Sequence, residues 1–598
     1  DDNQLELWQE QENQRLIGNL FAEKDFLDDF TFRSSFGLDY VRQDYREFTP
    51  QFFVSPTQQN VESDLTVQAN TFRSWLWENT VDWNYSADRY RLTALAGVTA
   101  QSFYGEDFGG SRINLVCESP SCWYLNAGTA TGQTNSNSAR EWRMLSYLFR
   151  TNYTLLDRYL LTASLRVDGS SRFGSENRYG WFPSVALGWN VHEEAFFAGF
   201  RDFMPALKLR GSWGKIGNDK IGEYPGIPLV TGNLNAVFGP DGTLVFGATP
   251  INLANPDVRW EETSQTNLGA DFQLFGGAVD ATLDWYRRTT DGILVDVPIP
   301  LYVGAAGRPI VNAAEVRNSG FEASLQWNRS FGDFELDLGV NGATVNNEVL
   351  ALGQGNQQIT HGGLGNEVQF TQRTVVGRPI GSFWGYKVVG VFQNEQELAT
   401  LPKRGGERPG DLRYADTNGD QKIDEFDKTW LGSPIPDVTY GFNTRLAWRD
   451  FDLSAVFSGQ AGNEIYNGKK SVRFGVENYE TSFLDRWTGP GTSNREPRIT
   501  NAGHNYQASE RFIEDGTYLK LQTAQFGYRL PESLTRVLNV SRARVYVSGT
   551  NLFTITDYSG YTPEIANPGV IVGTGGTGID LGVYPSVRQI IAGIDLSF

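Results

Sequence analysis

The chain has 598 residues, with 51 Lys and Arg against 70 Asp and Glu, a formal charge of −19. That balance argues against nucleic acid as a partner, since phosphate binding needs a basic face. Aromatics make up 13%, Gly numbers 65 and mean hydropathy is −0.38; no apolar run approaches the ~18 residues of a membrane helix, which leaves a soluble acidic protein or a barrel whose hydrophobicity hides in alternation.

The alternation decides. A first strand covers about 15–26. From Phe30 to Tyr40, Phe30, Phe32, Ser34, Phe36, Leu38 and Tyr40 share one face, while Thr31, Arg33, Ser35, Gly37 and Asp39 share the other. Trp75, Trp77, Val81, Trp83 and Tyr85 oppose Leu76, Glu78, Thr80, Asp82 and Asn84; Tyr90, Leu92, Ala94, Ala96 and Val98 follow after the turn Ser86-Ala87-Asp88. Tyr159, Leu161, Ala163, Leu165 and Val167 oppose Thr162, Ser164, Arg166 and Asp168. Period-two rows recur at Leu268–Leu274, Val279–Trp285, Phe321–Trp327, Phe334–Val340, Tyr440–Trp448 and Phe451–Phe457. Soluble sandwiches use strands of ~5–6 residues. The rows here predict ~10–14, the length of a tilted membrane-crossing strand, with aromatics at their ends as in interfacial girdles. The predicted fold is all-β: a transmembrane antiparallel β-barrel with long extracellular loops.

Connections alternate between tight and long. The tight ones are Leu27-Asp28-Asp29, Ser86-Ala87-Asp88, Asp157-Arg158, Phe275-Gly276-Gly277, Gly332-Asp333 and Arg449-Asp450. The long ones cover about 42–71, 103–140, 168–180, 216–257, 296–316, 346–435, 467–516 and 553–587. Short turns face the periplasm and long loops the exterior. The strand-like piece Val375–Phe392 breaks this alternation if it spans, so it is assigned to an external loop. The chain ends Ile590, Ala592, Ile594, Leu596, Phe598 on one face; a terminal Phe598 resembles the signal read by the outer-membrane assembly machinery. About 17 spanning strands result, an odd number, whereas a single-chain bacterial barrel has an even one. The expectation is a barrel domain over 1–598 whose first strands are missing.

The sharpest polar constellation runs from Asp416 to Asp427. Oxygen-bearing Asp416, Asn418, Asp420, Asp424 and Asp427 occupy positions 1, 3, 5, 9 and 12 of an EF-hand-like loop, with the Lys422 carbonyl at 7 and Ile423 at the apolar position 8. Gln421 stands where Gly is usual and Asp replaces the final Glu. A solvated acidic turn is the plainer alternative. The expected ion is Ca²⁺, held in an extracellular insert spanning 391–435. Cys117 and Cys122 close the stretch CESPSC and suit a disulfide at an external loop tip. His192, His361 and His504 are scattered, and neither a zinc-protease, nucleophile-elbow nor Walker motif occurs, so no enzyme is expected. Arg33, Asp39, Glu78, Asp82, Arg166, Asp168, Asp271, Asp280, Glu322 and Asp337 should line the interior. Phe103, Tyr104, Trp123, Tyr124, Tyr558 and Tyr561 are external aromatics able to stack on sugars or pack on a partner.

Several segments resemble the SusC/RagA family of TonB-dependent outer-membrane transporters: DRYLLTASLRVDGSSRFGSENRYGWFPSVALGWNV (Asp157–Val191), LKLRGSWGKIGN (Leu207–Asn218), NPDVRWEETSQTNLGADFQLFGG (Asn255–Gly277), EVRNSGFEASLQW (Glu315–Trp327), VVGRPIGSFWGYKVVGVF (Val375–Phe392), PGDLRYADTNGDQKID (Pro409–Asp424), RARVYVSGTNLFTITDYSGYTPE (Arg542–Glu564) and YPSVRQIIAGIDLSF (Tyr584–Phe598). The resemblance implies a barrel of about 22 strands around a plug, so that about five strands and the plug are absent from this sequence. It further implies active import of oligosaccharides or oligopeptides in a Gram-negative outer membrane, a SusD-like surface lipoprotein as lid, and energy from TonB–ExbB–ExbD. Transporter–lipoprotein pairs could dimerise. A passive porin or structural barrel scaffold is the alternative. No particular residue is assigned to substrate.

Overall fold

A computed structural model describes residues 8–56, 58–228, 230–232, 235–250, 254–296, 310–353, 358–364, 370–471, 479–500, 503–537, 540–565 and 576–598. Among them are seventeen strands of nine or more residues, and no helix is long and apolar enough to cross a membrane. Contacts divide the chain into two units, 1–187 with 214–262 and 299–311, and 188–213 with 263–298 and 312–598.

In the first unit, Trp8–Phe26, Phe30–Thr49, Asp64–Ala87, Tyr90–Ile113, Thr134–Leu155 and Tyr159–Ser170 pair successively and antiparallel. Pairing register carries the sequence alternation across the sheet. Phe36, Trp77, Ala100 and Leu145 form one cross-strand row; one residue along, Ser35, Glu78, Thr99, Ser146 and Asp168 form the next. Phe36 and Trp77 are 44% and 50% exposed, whereas Ser35, Thr99, Ser146 and Asp168 are buried. The apolar row is the one open to the surroundings, as a lipid-facing surface requires. Tight turns at 27–29 and 156–158 put Leu27, Asp28, Leu156 and Asp157 at positive φ, the backbone hand that matches strand twist in a short hairpin.

Strand length departs from the sequence reading. Asp64–Ala87 and Tyr90–Ile113 each hold 24 residues, about 80 Å at ~3.3 Å per residue and far more than the ~9–11 residues a bilayer demands. Only Trp75–Tyr85 shows the oily alternation. Beyond it no lipid selects one face, so the strand continues with polar residues and reads as loop. The expected long connections 42–71 and 103–140 therefore contract to 50–63 and 114–133, and the turn expected at 86–88 falls at 88–89.

In the second unit, Ile310–Phe331, Phe334–Thr344, Val438–Trp448, Phe451–Ala461, Tyr518–Arg529, Arg542–Thr556 and Gln589–Ser597 pair in that order. Leu336, Leu446, Leu453, Phe526, Val547 and Ala592 line up across the strands; their chain neighbours Asp337, Arg445, Ser454, Gln525 and Ser548 make the adjoining polar row. Tight turns at 332–333 and 449–450 close one end. From the other end rise three excursions, 345–437, 462–517 and 557–588. The piece Val375–Phe392 belongs to the first of these. Its strands Ser382–Tyr386 and Val388–Val391 pair only with other excursion strands.

Candidate functional site

The three excursions of the second unit are not independent loops. Glu464–Asn467 pairs antiparallel with Ile513–Asp515 and parallel with Ile579–Asp580, so the second and third excursions share one small sheet, and the first joins them through a common core. Beneath it Leu364, Phe383, Tyr466, Tyr506, Ala508 and Phe512 form a buried cluster joined by Leu431, Ile513 and Ile579. A second cluster gathers Tyr386, Val391, Leu412, Tyr414 and Ile423. Sequence reasoning missed this body because its core residues come from separate segments and obey no shared period.

Buried charges fasten the same body. Glu514 accepts from Lys470 Nζ at 2.8 Å, Asn467 Nδ2 at 2.9 Å and the Ser559 N–H at 2.8 Å. Burial pushes its carboxyl up, but Lys470 and Ser559 outweigh this and hold it below the usual carboxylate range. Asp580 accepts from Tyr558 Oη at 2.6 Å and the backbone N–H groups of Gly582 and Val583. Burial and that carboxylate raise the Tyr558 hydroxyl well above its ordinary value. His504 has its Nε2 2.7 Å from the Leu412 carbonyl and its ring centroid 4.6 Å from that of Tyr414. Burial lowers its pKa despite the nearby Glu407 and Asp411.

The Asp416–Asp427 loop lies on this body. Asp416 Oδ1 accepts the N–H groups of Gly419 (2.7 Å) and Asp420 (3.2 Å), and Oδ2 that of Gln421 (2.9 Å). Position 6 demands the left-handed backbone, and Gln421 adopts it at φ 65°. Ile423 is buried in the second cluster and donates its N–H to the Lys403 carbonyl at 3.1 Å. Asn418 Nδ2 bonds Asp420 Oδ2, and Lys422 Nζ reaches Asp424 Oδ2 at 3.1 Å. Backbone and salt contacts, those of Phe426 and Lys422, hold the Asp424 carboxyl below its usual range. Asp427 is fully buried, its two oxygens accepting from Thr417 and Asp424 N–H. The loop backbone thus wraps around the Asp416 carboxylate, and the carboxylates are turned onto loop N–H groups; among the described residues no three His, Cys, Asp or Glu side chains converge as a metal site.

Other expected residues fall as follows. Cys117 and Cys122 are joined in a disulfide within the first unit's 114–133 connection. Beside it Trp123 is buried, its ring 5.1 Å from Phe48, and Tyr124 is exposed under the Arg46 guanidinium. Phe103 and Tyr104 lie inside a strand and not in a loop. Tyr558 is buried, whereas Tyr561 is exposed beneath Lys469. Phe598 follows the last strand at the tight-turn end and is almost wholly exposed. His192, with Nδ1 3.0 Å from the Leu207 carbonyl, sits within the 191–205 connection.

Polar rows pair internally. Arg15 reaches Asp39, and Arg166 reaches Asp168 and Ser146. In the second unit Arg210 bridges Asp271 at 3.1 Å and Asp284 at 2.6 Å. It borders a polar cavity of about 410 Å³ lined also by Gln265, Tyr286, Arg288, Asn318 and Glu322. Asp271 and Glu322 were expected on this face; Arg210 and Asp284 were not, although counting by twos from the expected Asp280 along Val279–Asp296 reaches Asp284.

Comparison with known proteins supplies the remaining findings. The family model described as TonB dependent receptor-like, beta-barrel, matches residues 1–479. TonB-dependent receptor P3 of Formosa agariphila is 31% identical over 589 residues, 97% of this chain and 58% of that protein. TonB-dependent receptor SusC of Bacteroides thetaiotaomicron is 29% identical over 463 residues, 76% of this chain and 44% of SusC. A solved structure of the RagAB peptide transporter matches with TM-score 0.84 and 25% identity, over 99% of this chain and 63% of the matched one. The chain therefore spans less than two thirds of the length of each of these relatives.

Proposed function

Because the chain belongs to the TonB-dependent receptor β-barrel family, in its SusC/RagA branch, and so to the Gram-negative outer membrane rather than to any enzyme class, we propose that it serves active uptake of oligosaccharides or oligopeptides. The observation that carries this reading is the body built from three excursions at one end of the second unit's sheet. A SusD-like surface lipoprotein is the partner that covers the external face, and TonB–ExbB–ExbD supplies the energy. The whole receptor pairs with a second transporter–lipoprotein unit.

Ca²⁺ belongs to the same proposal. Asp416, Asn418, Asp420, the Lys422 carbonyl, Asp424 and Asp427 would hold it, a hard cation on oxygen ligands. Support comes from the Asp416 wrap, the left-handed Gln421 and the anchored Ile423. Bound there, the ion would fix the 416–427 surface against the lipoprotein. Retention of the lipoprotein after Asp416 and Asp420 are both replaced by Ala would dispose of that role. Phe598 is proposed as the assembly signal, and its deletion should lower the amount of folded barrel.

Uptake in cells carrying the full-length gene tests the main reading. Import of labelled oligomers should collapse when a protonophore is added or TonB is lost. Import indifferent to both would favour the alternative, a passive porin or scaffold.

A further inference from the structure

Arg373, Arg378, Trp384 and Trp430 form a separate constellation on the 345–437 excursion. Trp384 and Trp430 face each other directly across two paired strands, rings 4.7 Å apart and edge to face. The Arg373 guanidinium lies 4.3 Å from the Trp384 ring, and that of Arg378 lies 4.7 Å from the Trp430 ring. A guanidinium held over an indole keeps a fixed plane, with its N–H fork free for a bidentate anion. Neither Arg makes an ion pair among the described residues; the nearby Glu425 is engaged by Lys428 at 2.8 Å. Burial lowers the Arg373 pKa, and Glu425 offsets only part of this. The Trp384 indole N–H is shut from solvent and has no acceptor among the described residues.

We propose that this Arg–Trp–Trp–Arg face binds acidic oligosaccharides, chains bearing carboxylate or sulfate groups. In a chain of net charge −19, two guanidiniums held over adjacent indoles, neither in an ion pair among the described residues, select for anions. The choice of saccharide over peptide follows from where the rings sit. Trp384 is on Ser382–Tyr386, which is paired on both sides, and its backbone N–H already donates to the Thr371 carbonyl at 2.9 Å. An extended peptide docks along an open strand edge. Only a side-chain face is offered here, and indole and guanidinium surfaces suit the C–H faces and acidic substituents of sugar rings. The proposal rests on the import reading for its ligand's supply but not for its test.

Full-length protein in detergent micelles would be titrated calorimetrically with a uronate hexasaccharide, a neutral hexasaccharide and hexaglutamate. The uronate is expected to bind, more weakly as salt rises, with about tenfold or greater loss in R373Q/R378Q. R373K/R378K keeps charge but not the fork and should fall between; R329Q, far along the chain, should match the wild type. Unchanged affinity in R373Q/R378Q overturns the proposal, as does equal binding of the neutral sugar or tighter binding of hexaglutamate. Failure of energised uptake with this binding intact counts against the import reading alone.

Discussion

Truncating Phe512 to Ala should loosen the external body and leave the membrane strands in place. Phe512 is fully buried, its ring 5.7 Å from Tyr466 in the cluster that joins Phe383 and Tyr506. Removing such a ring costs about 3–5 kcal/mol in transfer and cavity terms. At ~1.4 kcal/mol per tenfold, opening of the body becomes about 10²- to 4 × 10³-fold more frequent. Hydrogen exchange on the full-length protein in micelles reads this directly. Peptides over 382–391, 464–467, 513–515 and 579–580 should lose protection together, because one sheet and one cluster link them. The ladder between Phe451–Ala461 and Tyr518–Arg529 should keep its protection. Unchanged protection in the body, or loss that spreads equally to that ladder, would refute the picture of a separately cored structure.

Added Ca²⁺ should raise protection of residues 416–427 in the wild type and leave Asp416→Ala unaffected; equal response in both means the ion binds elsewhere. Burial holds His504 below its ordinary pKa, so the unfolded chain takes up a proton first as pH falls through about 6.5, and the folded body loses stability from there downward. His504→Asn should flatten that pH dependence, measured by exchange rates of the 407–414 segment. Replacing Arg210 by Met leaves Asp271 and Asp284 facing each other without their shared cation. The expected cost is about 1–3 kcal/mol, less than for a fully buried pair, seen as a lower midpoint in the heat-dependent gel shift of the folded barrel.

The sequence exposed those features that lipid or local chemistry imposes on neighbouring residues. Lipid against Trp75, Trp77 and Trp83 and water against Glu78 and Asp82 force a period of two, so the crossing parts of strands were legible. The Asp416–Asp427 spacing was legible for a similar reason, since one short loop supplies every ligand. The outer half of Asp64–Ala87 was not, because polar residues such as Gln68 and Asn70 carry no face preference once the bilayer ends. Nor was the external core. Phe383, Tyr466 and Phe512 meet only through pairing between distant excursions, and isolated aromatics in Gly-rich stretches look like loop. Tyr558 shows the consequence: expected as an exposed stacking ring, it is buried with its hydroxyl on Asp580.

The central claim is that neighbouring residues of the long strands meet opposite solvents. Nitroxide labels placed singly at positions 77, 78, 146 and 147, in the full-length protein in liposomes, measure this through collisions with oxygen, which concentrates in lipid, and with a polar nickel chelate. Trp77 and Tyr147 lie on the open apolar face, and Glu78 and Ser146 on the polar one. Labels at 77 and 147 should favour oxygen, and labels at 78 and 146 should show no such preference. Equal ratios at all four positions would contradict the account.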